Sequence, residues 1–66
     1  MKLTPKQKAF ADFYIEVDNA TEAAIKAGYS KRTAKEVGYE NLTKPHIKNY
    51  IEERTKQLES ARITKA

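Results

Sequence analysis

Residues 19–37 have the sequence NATEAAIKAGYSKRTAKEV, and this stretch decides the fold. Asn19 is a favourable N-cap residue, and Glu22 is placed to complete a capping box at the start of a helix. Gly28 follows the alanine-rich face of that helix and can adopt the left-handed conformation that ends it. Ser30 is placed to cap a second helix. These signals predict two helices joined by a three-residue turn, which is a helix-turn-helix unit.

The same stretch resembles the residue pattern known from helix-turn-helix DNA-binding families. That pattern has a small residue at its fifth position, glycine at its ninth, and apolar residues at its fourth, eighth, fifteenth and eighteenth. With Ala20 as the first position, the matching residues are Ala24, Gly28, Ala23, Ala27, Ala34 and Val37. An alanine-rich helical hairpin without a nucleic-acid partner can meet part of this pattern by chance.

The composition limits the classes of function. A chain of 66 residues forms one domain with a small core, which favours binding on a surface over catalysis in a deep pocket. With no cysteine and one histidine, the sequence predicts neither a metal site nor a cofactor. It lacks a glycine-rich phosphate loop and a paired nucleophile and base, so we expect no enzyme activity. No apolar run approaches the roughly 20 residues that span a bilayer, and the N-terminus lacks the apolar region of a signal peptide.

Positive charge is concentrated in the middle of the chain. The net charge is +4, from 13 Lys and Arg against 9 Asp and Glu. Residues 26–48 contain six basic and two acidic residues, a local charge of +4, whereas residues 1–25 sum to −1 and residues 49–66 to +1. A localised basic surface is expected of a phosphate-binding site, although a charge run is more often a solvated helix face. Its coincidence with the helix-turn-helix stretch favours phosphate binding.

The chain as a whole is predicted to be all-α. We expect a compact four-helix domain over residues 1–58, containing the helix-turn-helix, and a frayed tail over residues 59–66. The first helix has Thr4 as N-cap and Pro5 in its first turn. The four helices are expected near residues 5–17, 20–27, 31–43 and 45–58.

The first helix carries most of the aromatic residues and is predicted to be the main support of the core. Its apolar stripe consists of Phe10, Phe13, Tyr14 and Val17. Tyr29 is expected to close the core beneath the turn. Gly38 costs about 1 kcal/mol relative to alanine inside a helix, so we expect another helix to approach it closely. Asn41 falls near the core, where a buried amide needs hydrogen-bond partners.

The outward face of the third helix supplies the candidate DNA contacts. Arg32 suits bidentate contact with guanine, Lys35 suits phosphate or a base, and Glu36 suits a cytosine amino group. Arg32 and Glu36 are also spaced for a surface ion pair. With flanking positions, the predicted DNA-binding residues are Lys26, Ser30, Lys31, Arg32, Thr33, Lys35, Glu36 and Tyr39. The N-terminal lysines Lys2, Lys6 and Lys8 either contact phosphate or only keep the chain soluble.

An ordered set of motifs resembles one family. The motifs include Leu3-Thr4-Pro5-Lys6-Gln7, Asn19-Ala20-Thr21, Ala27-Gly28-Tyr29-Ser30, Asn41-Leu42 and Lys44-Pro45. From residue 3 to about residue 51 the chain is similar to the N-terminal domain of the small terminase subunit of tailed double-stranded DNA bacteriophages.

This resemblance implies a domain that binds the packaging site of phage DNA in the host cytoplasm and helps to initiate viral genome packaging. It also implies a homo-oligomeric ring that presents double-stranded DNA to the terminase large subunit. The segments used for ring assembly and large-subunit binding are not found in these 66 residues. We therefore expect a domain fragment that is monomeric by itself.

Two other interpretations stay open from the sequence. A helix-turn-helix transcriptional regulator or a phage excision factor has the same motif. A small helical adaptor would instead bind a protein through the face of the fourth helix or the region of Ile63.

Overall fold

A computed structural model of the chain describes the backbone of residues 3–64 and the side chains of residues 3–59. Its elements are α1 (Pro5–Val17), α2 (Ala20–Lys26), α3 (Ala34–Thr43) and α4 (Pro45–Thr64). The described backbone contains no strand, so the predicted all-α class with four helices is confirmed. None of the helices in that part of the chain combines the length and the apolar character needed to cross a membrane. Lys2 and the side chain of Ile63 lie outside the described residues.

Helix α1 begins and ends at local signals in the sequence. The Thr4 hydroxyl accepts a hydrogen bond from the Gln7 N–H at 3.1 Å, and the Thr4 N–H donates to Gln7 Oε1 at 3.1 Å. This is the reciprocal capping box, with Pro5 in the first turn. At the other end Asp18 adopts a left-handed conformation with φ 55° and donates its N–H to the Tyr14 carbonyl. The left-handed residue turns the chain sharply out of α1 and into α2.

Helix α2 has the predicted N-cap and the predicted terminal glycine, but among the described residues Glu22 does not complete the predicted capping box. Asn19 Oδ1 accepts from the Glu22 N–H at 3.0 Å, as expected of an N-cap. Gly28 has φ +107°, which a residue with a side chain rarely adopts. The Tyr29 N–H donates to the Ala24 carbonyl at 3.0 Å and the Gly28 N–H to the Ile25 carbonyl at 3.1 Å. These two bonds form a Schellman motif, so the glycine ends α2 as predicted.

The connection between α2 and α3 is longer than the sequence predicts. Residues 31–33 form a turn, and α3 begins at Ala34 instead of near Lys31. The Ser30 hydroxyl accepts from the Arg32 N–H at 3.2 Å, and the Ser30 carbonyl accepts from the Thr33 N–H at 3.1 Å. Ser30 therefore closes a turn of its own instead of capping a helix, and Thr33 becomes the residue before α3.

The core is small and built largely from alanines. Helix α2 packs against both α1 and α3, while α4 packs across α1 and α3. The fully buried side chains are Phe10, Ala11, Ala23, Ala24, Ala34 and Ile47. Phe13, Tyr14, Val17 and Tyr29 pack partly buried against this cluster, which confirms the roles predicted for the α1 stripe and for Tyr29. The methyl side chains allow the helix backbones to lie close together.

Helices α2 and α3 approach each other closely at Gly38. A Cβ added there would lie 2.7 Å from the Ala20 carbonyl oxygen and 3.0 Å from the Ala20 Cβ. This confirms the prediction that another helix requires a glycine at this position, and that helix is α2. Asn41 is 4% exposed, and its Nδ2 has no hydrogen-bond partner among the described residues, contrary to expectation.

Helix α4 extends beyond its predicted end. Lys44 is in an extended conformation between α3 and α4, as the following Pro45 favours. The backbone then stays helical to Thr64, past Leu58, where the sequence analysis expects fraying. Residues 59–64 contain neither glycine nor proline, so no local signal interrupts the helix.

A polar contact joins α4 to α1. The Tyr50 hydroxyl donates to Asp12 Oδ1 at 2.8 Å, and Arg54 Nε lies 4.0 Å from the same oxygen. Burial raises the pKa of Tyr50 above its ordinary value of 10.0, and the Asp12 carboxylate raises it further, while the Arg54 charge acts in the opposite direction. The neutral phenol is thus the form that fits this contact.

Candidate nucleic-acid interface

The predicted DNA-binding side chains all lie on the surface. They are Lys26, Ser30, Lys31, Arg32, Thr33, Lys35, Glu36 and Tyr39, and each is exposed. Lys26 is in the last turn of α2, residues 30–33 are in the connection, and the other three are on α3. We call residues 26–36 the basic segment, since they contain four basic residues and one acidic one.

Helix α3 has two distinct faces. Ala34, Gly38 and Asn41 are buried against the rest of the domain. Lys35 and Glu36 are exposed, as the 100° step between successive helical residues predicts. The predicted orientation of α3 is therefore confirmed, but its predicted start near Lys31 is wrong, since the helix begins at Ala34.

The later start of α3 changes where three of the candidate residues lie. Lys31, Arg32 and Thr33 lie in the turn before α3, and only Lys35, Glu36 and Tyr39 lie on the helix itself. Because the Arg32 N–H is bonded to Ser30, the backbone that carries the guanidinium is held in place. The pair of Arg32 and Glu36, for which the sequence spacing allows an ion pair, does not form one among the described side chains.

Tyr39 lies on α3 one turn after Lys35 and Glu36, next to the end of the basic segment. It is 60% exposed and borders a cleft of about 350 Å³ where α1 gives way to α2. Asp18 and Asn19 line the same cleft. Tyr39 therefore borders both this cleft and the exposed face that carries Lys35 and Glu36.

Two lysines contact aromatic rings beside the turn. Lys26 Nζ lies 5.9 Å from the centroid of the Phe13 ring. Lys6 Nζ lies 5.1 Å from the centroid of the Tyr29 ring. The sequence left the role of Lys6 open, because helical spacing within α1 cannot show which later segment of the chain packs beside its first turn.

These features define a small all-α domain whose α2 and α3 are consistent with a helix-turn-helix, and whose connecting turn carries an exposed basic surface. The model of the terminase small subunit family matches residues 3–66, and the chain belongs to this family. The family expected from the ordered motifs is therefore confirmed.

Relatives from three phages cover nearly the whole chain. It is 48% identical over 66 residues to the terminase small subunit of Bacillus phage SPP1, covering 98% of this chain and 45% of that protein. The terminase small subunit of Bacillus phage SF6 is also 48% identical, with 98% and 46% covered. That of Staphylococcus phage 80alpha is 42% identical over 62 residues, with 92% and 42% covered. The chain thus spans less than half of the length of these relatives.

Proposed function

We propose that this chain is the DNA-binding domain of a phage terminase small subunit. In this role it recognises the packaging site of the phage genome in the host cytoplasm and helps to initiate packaging. It acts without catalysis and passes the DNA to the large subunit, which supplies the enzymatic steps. The family to which the chain belongs supports the packaging role, and the surface of the domain supports DNA as the ligand.

The observation that carries the proposal is the division of the segment from α2 through α3 into a buried side and a basic side. Ala23, Ala24, Ala34 and Gly38 are buried, so one side of the segment is committed to the fold. The other side of the segment is exposed and carries Lys31, Arg32 and Lys35. Cations held on a rigid backbone are the groups that position a protein on the phosphates of a duplex.

We assign different kinds of DNA contact to the candidate residues according to where each of them lies. Lys31, Arg32 and Thr33 precede α3, so we assign them to phosphate and sugar contacts at the edge of a groove. Lys35 and Glu36 lie on the first turn of α3 and are assigned to base edges in the major groove. Tyr39 is assigned at most a contact with the backbone, since it borders the cleft beside Asp18.

A single domain should bind weakly. It neutralises few phosphates, so its affinity falls in the range of non-specific binding, with Kd ~10⁻⁴ to 10⁻⁶ M at physiological salt. We propose that the longer protein forms a homo-oligomeric ring, and that many linked domains together raise the affinity. Ring assembly and contact with the large subunit are assigned to the part of the relatives that lies beyond this alignment.

Heteronuclear NMR titration with a short duplex at two salt concentrations tests the proposal. We expect amide shifts to concentrate on residues 30–39 and to weaken sharply at the higher salt concentration. Arg32→Ala should lose most of the binding while keeping its spectrum. Lys56→Ala is the matched control, because it removes one positive charge from an exposed position on α4.

The opposite result would identify a different surface. If no amide shifts at millimolar DNA and low salt, the domain does not bind DNA. The face of α4, where Leu58 is 48% exposed, would then become the surface to test for a protein partner. Concentration-dependent association without DNA shifts would support the adaptor interpretation.

A further inference from the structure

We infer that Lys6, on the first turn of α1, is an additional phosphate-binding group of the same interface, positioned by the ring of Tyr29. This inference rests on the proposed function. It extends the contact surface from the basic segment to α1, which the helix-turn-helix pattern does not include.

The first argument is the path of the Lys6 side chain. Its Cε lies 3.5 Å from where a Cβ at Gly28 would be, and its Nζ lies 5.1 Å from the centroid of the Tyr29 ring. The aliphatic stem therefore runs across the glycine that ends α2, and the ammonium ends over the next residue. Gly28 and Tyr29 thus determine the position of the Lys6 ammonium group, although Lys6 is otherwise exposed.

The second argument is that the Lys6 charge is not neutralised. Among the side chains of residues 3–59, no carboxylate comes within ion-pair distance of Lys6. An aromatic face attracts the ammonium but does not use up its N–H donors in conventional hydrogen bonds. Lys6 can therefore contact the ring and a phosphate oxygen at the same time. Because the ring already restricts the long side chain, less rotamer freedom is lost when the phosphate binds.

The third argument is that a second lysine lies on the same side of α1. Phe13 is two turns after Lys6 on one face of the helix, and the Lys26 ammonium lies over its ring. The backbone positions of Lys6 and Phe13 are roughly 10 Å apart along the helix axis, so the Lys26 charge lies beside the same side of α1 that carries Lys6. Tyr29, which the Lys6 ammonium contacts, belongs to the same connection as Lys31 and Arg32, so a single DNA strand could contact Lys6 and these residues.

Lys8 provides a matched control on the same helix. It is exposed and lies about 200° around the helix from Lys6, on a different face. Lys6→Gln and Lys8→Gln each remove one positive charge, so they change the long-range attraction to DNA equally. A difference between them therefore reports on a local contact.

The test measures binding of the 66-residue chain to a short fluorescent duplex over a series of salt concentrations. We expect Lys6→Gln to weaken binding about fivefold at low salt, and to reduce the slope of log K against log[salt] by about 0.9, the value for one phosphate. Lys8→Gln should keep the wild-type slope.

The ring is tested with two further variants. Tyr29→Phe should bind as the wild type does, because the aromatic face is retained. Tyr29→Leu should weaken binding, but should add little in the Lys6→Gln background, because the ring acts through Lys6. Circular dichroism confirms that each variant is folded. If Tyr29→Leu does not fold, the comparison of Lys6 with Lys8 still decides the inference.

The outcomes separate this inference from the function on which it rests. If the wild type binds, Arg32→Ala weakens binding, and Lys6→Gln has the same slope as Lys8→Gln, then Lys6 contacts no phosphate and the inference is wrong while the proposed function stands. If the wild-type chain does not bind the duplex at low salt, the proposed function itself is wrong, and the role of Lys6 is wrong with it.

Discussion

At the scale of the single residue, Gly38 is a position where the packing leaves no room for a side chain. An added Cβ would meet backbone atoms of Ala20 at 2.7 Å, so helices α2 and α3 would have to move apart. We expect Gly38→Ala to destabilise the domain by ~1–3 kcal/mol, as overpacking does, although alanine is the better helix former by about 1 kcal/mol. Urea denaturation measures this difference.

A neighbouring variant isolates the packing effect. Glu40→Ala is also on α3, but its position is exposed, and it should change the free energy of unfolding by less than about 0.5 kcal/mol. If Gly38→Ala were as stable as the wild type or more stable, the close contact with Ala20 would be wrong.

The contact between Tyr50 and Asp12 should make stability depend on pH. Tyr50→Phe removes a hydrogen bond to a partly exposed carboxylate, at a cost of ~1 kcal/mol at pH 7. The pKa of Tyr50 is raised in the folded chain. Its contribution is therefore fully present below pH 10 and is lost as the pH rises through the folded-state pKa. The stability difference between wild type and variant should therefore begin to shrink near pH 10 and level off above the folded-state pKa.

Denaturation of both proteins in matched buffers from pH 7 to about pH 11 tests this dependence. The two proteins share every other ionisable group, so the difference between the two curves isolates Tyr50. A difference that stays constant across the range would show that the hydroxyl does not make this contact.

Single residues differ in how far the sequence reveals their roles. Gly38 could be interpreted because a glycine inside a helix carries a cost that only a close neighbour explains. Helical spacing predicts that Asn41 lies near the core. It does not predict that Nδ2 has no hydrogen-bond partner among the described residues, because the position of a partner depends on other elements of the fold. The contact of Lys6 with Tyr29 joins distant parts of the chain, and no local pattern encodes it.

At the scale of the element, the helix caps allow a direct comparison. Asn19 Oδ1 accepts the Glu22 N–H at 3.0 Å, whereas Thr33 before α3 makes no such bond with its side chain. We expect Asn19→Ala to cost ~1 kcal/mol, the usual value for a lost N-cap. Thr33→Ala should have a much smaller effect on stability. Thermal denaturation of the two variants provides the measurement, and equal losses would show that the Asn19 oxygen does not cap α2.

The same comparison explains why the start of α3 was predicted wrongly. A serine before a basic run is a common N-cap, and residue type alone does not show which N–H its oxygen accepts. Here Ser30 bonds the Arg32 N–H and closes a turn. The N-caps predicted at Thr4 and Asn19 both form, since each side chain accepts the N–H of the residue three positions later. The capping box predicted for Asn19 and Glu22 is only half formed among the described residues, because the Asn19 N–H does not donate to Glu22.

At the scale of the whole molecule, the helix order and the alanine-based packing follow from the sequence because their signals are local and repeat along the chain. The position at which α4 ends does not follow from the sequence in this way. Periodicity weakens after Leu58, yet the backbone stays helical to Thr64, since residues 59–64 contain neither glycine nor proline. We predict that this segment leads into an oligomerisation region of a longer protein.

The proposed gain from linked domains can be measured with the chain itself. Two copies joined by a Gly-Ser linker of roughly 30 residues have a typical separation of about 30 Å between linker ends, which is comparable with the shorter dimensions of the domain, 24 and 17 Å. On a duplex long enough for both copies, we expect the tandem protein to bind at least about 100-fold more tightly than the single chain, because the second contact becomes intramolecular.

The matched control is a tandem protein of the same length in which one copy carries Arg32→Ala and Lys35→Ala. It keeps the linker and the fold, but it has only one intact basic segment, so its affinity should fall to about that of the single chain. Fluorescence anisotropy at constant salt compares the three proteins. If the control binds as tightly as the intact tandem, the gain comes from net charge or from the linker. The affinity of the proposed ring would then have to arise from a surface other than Arg32 and Lys35.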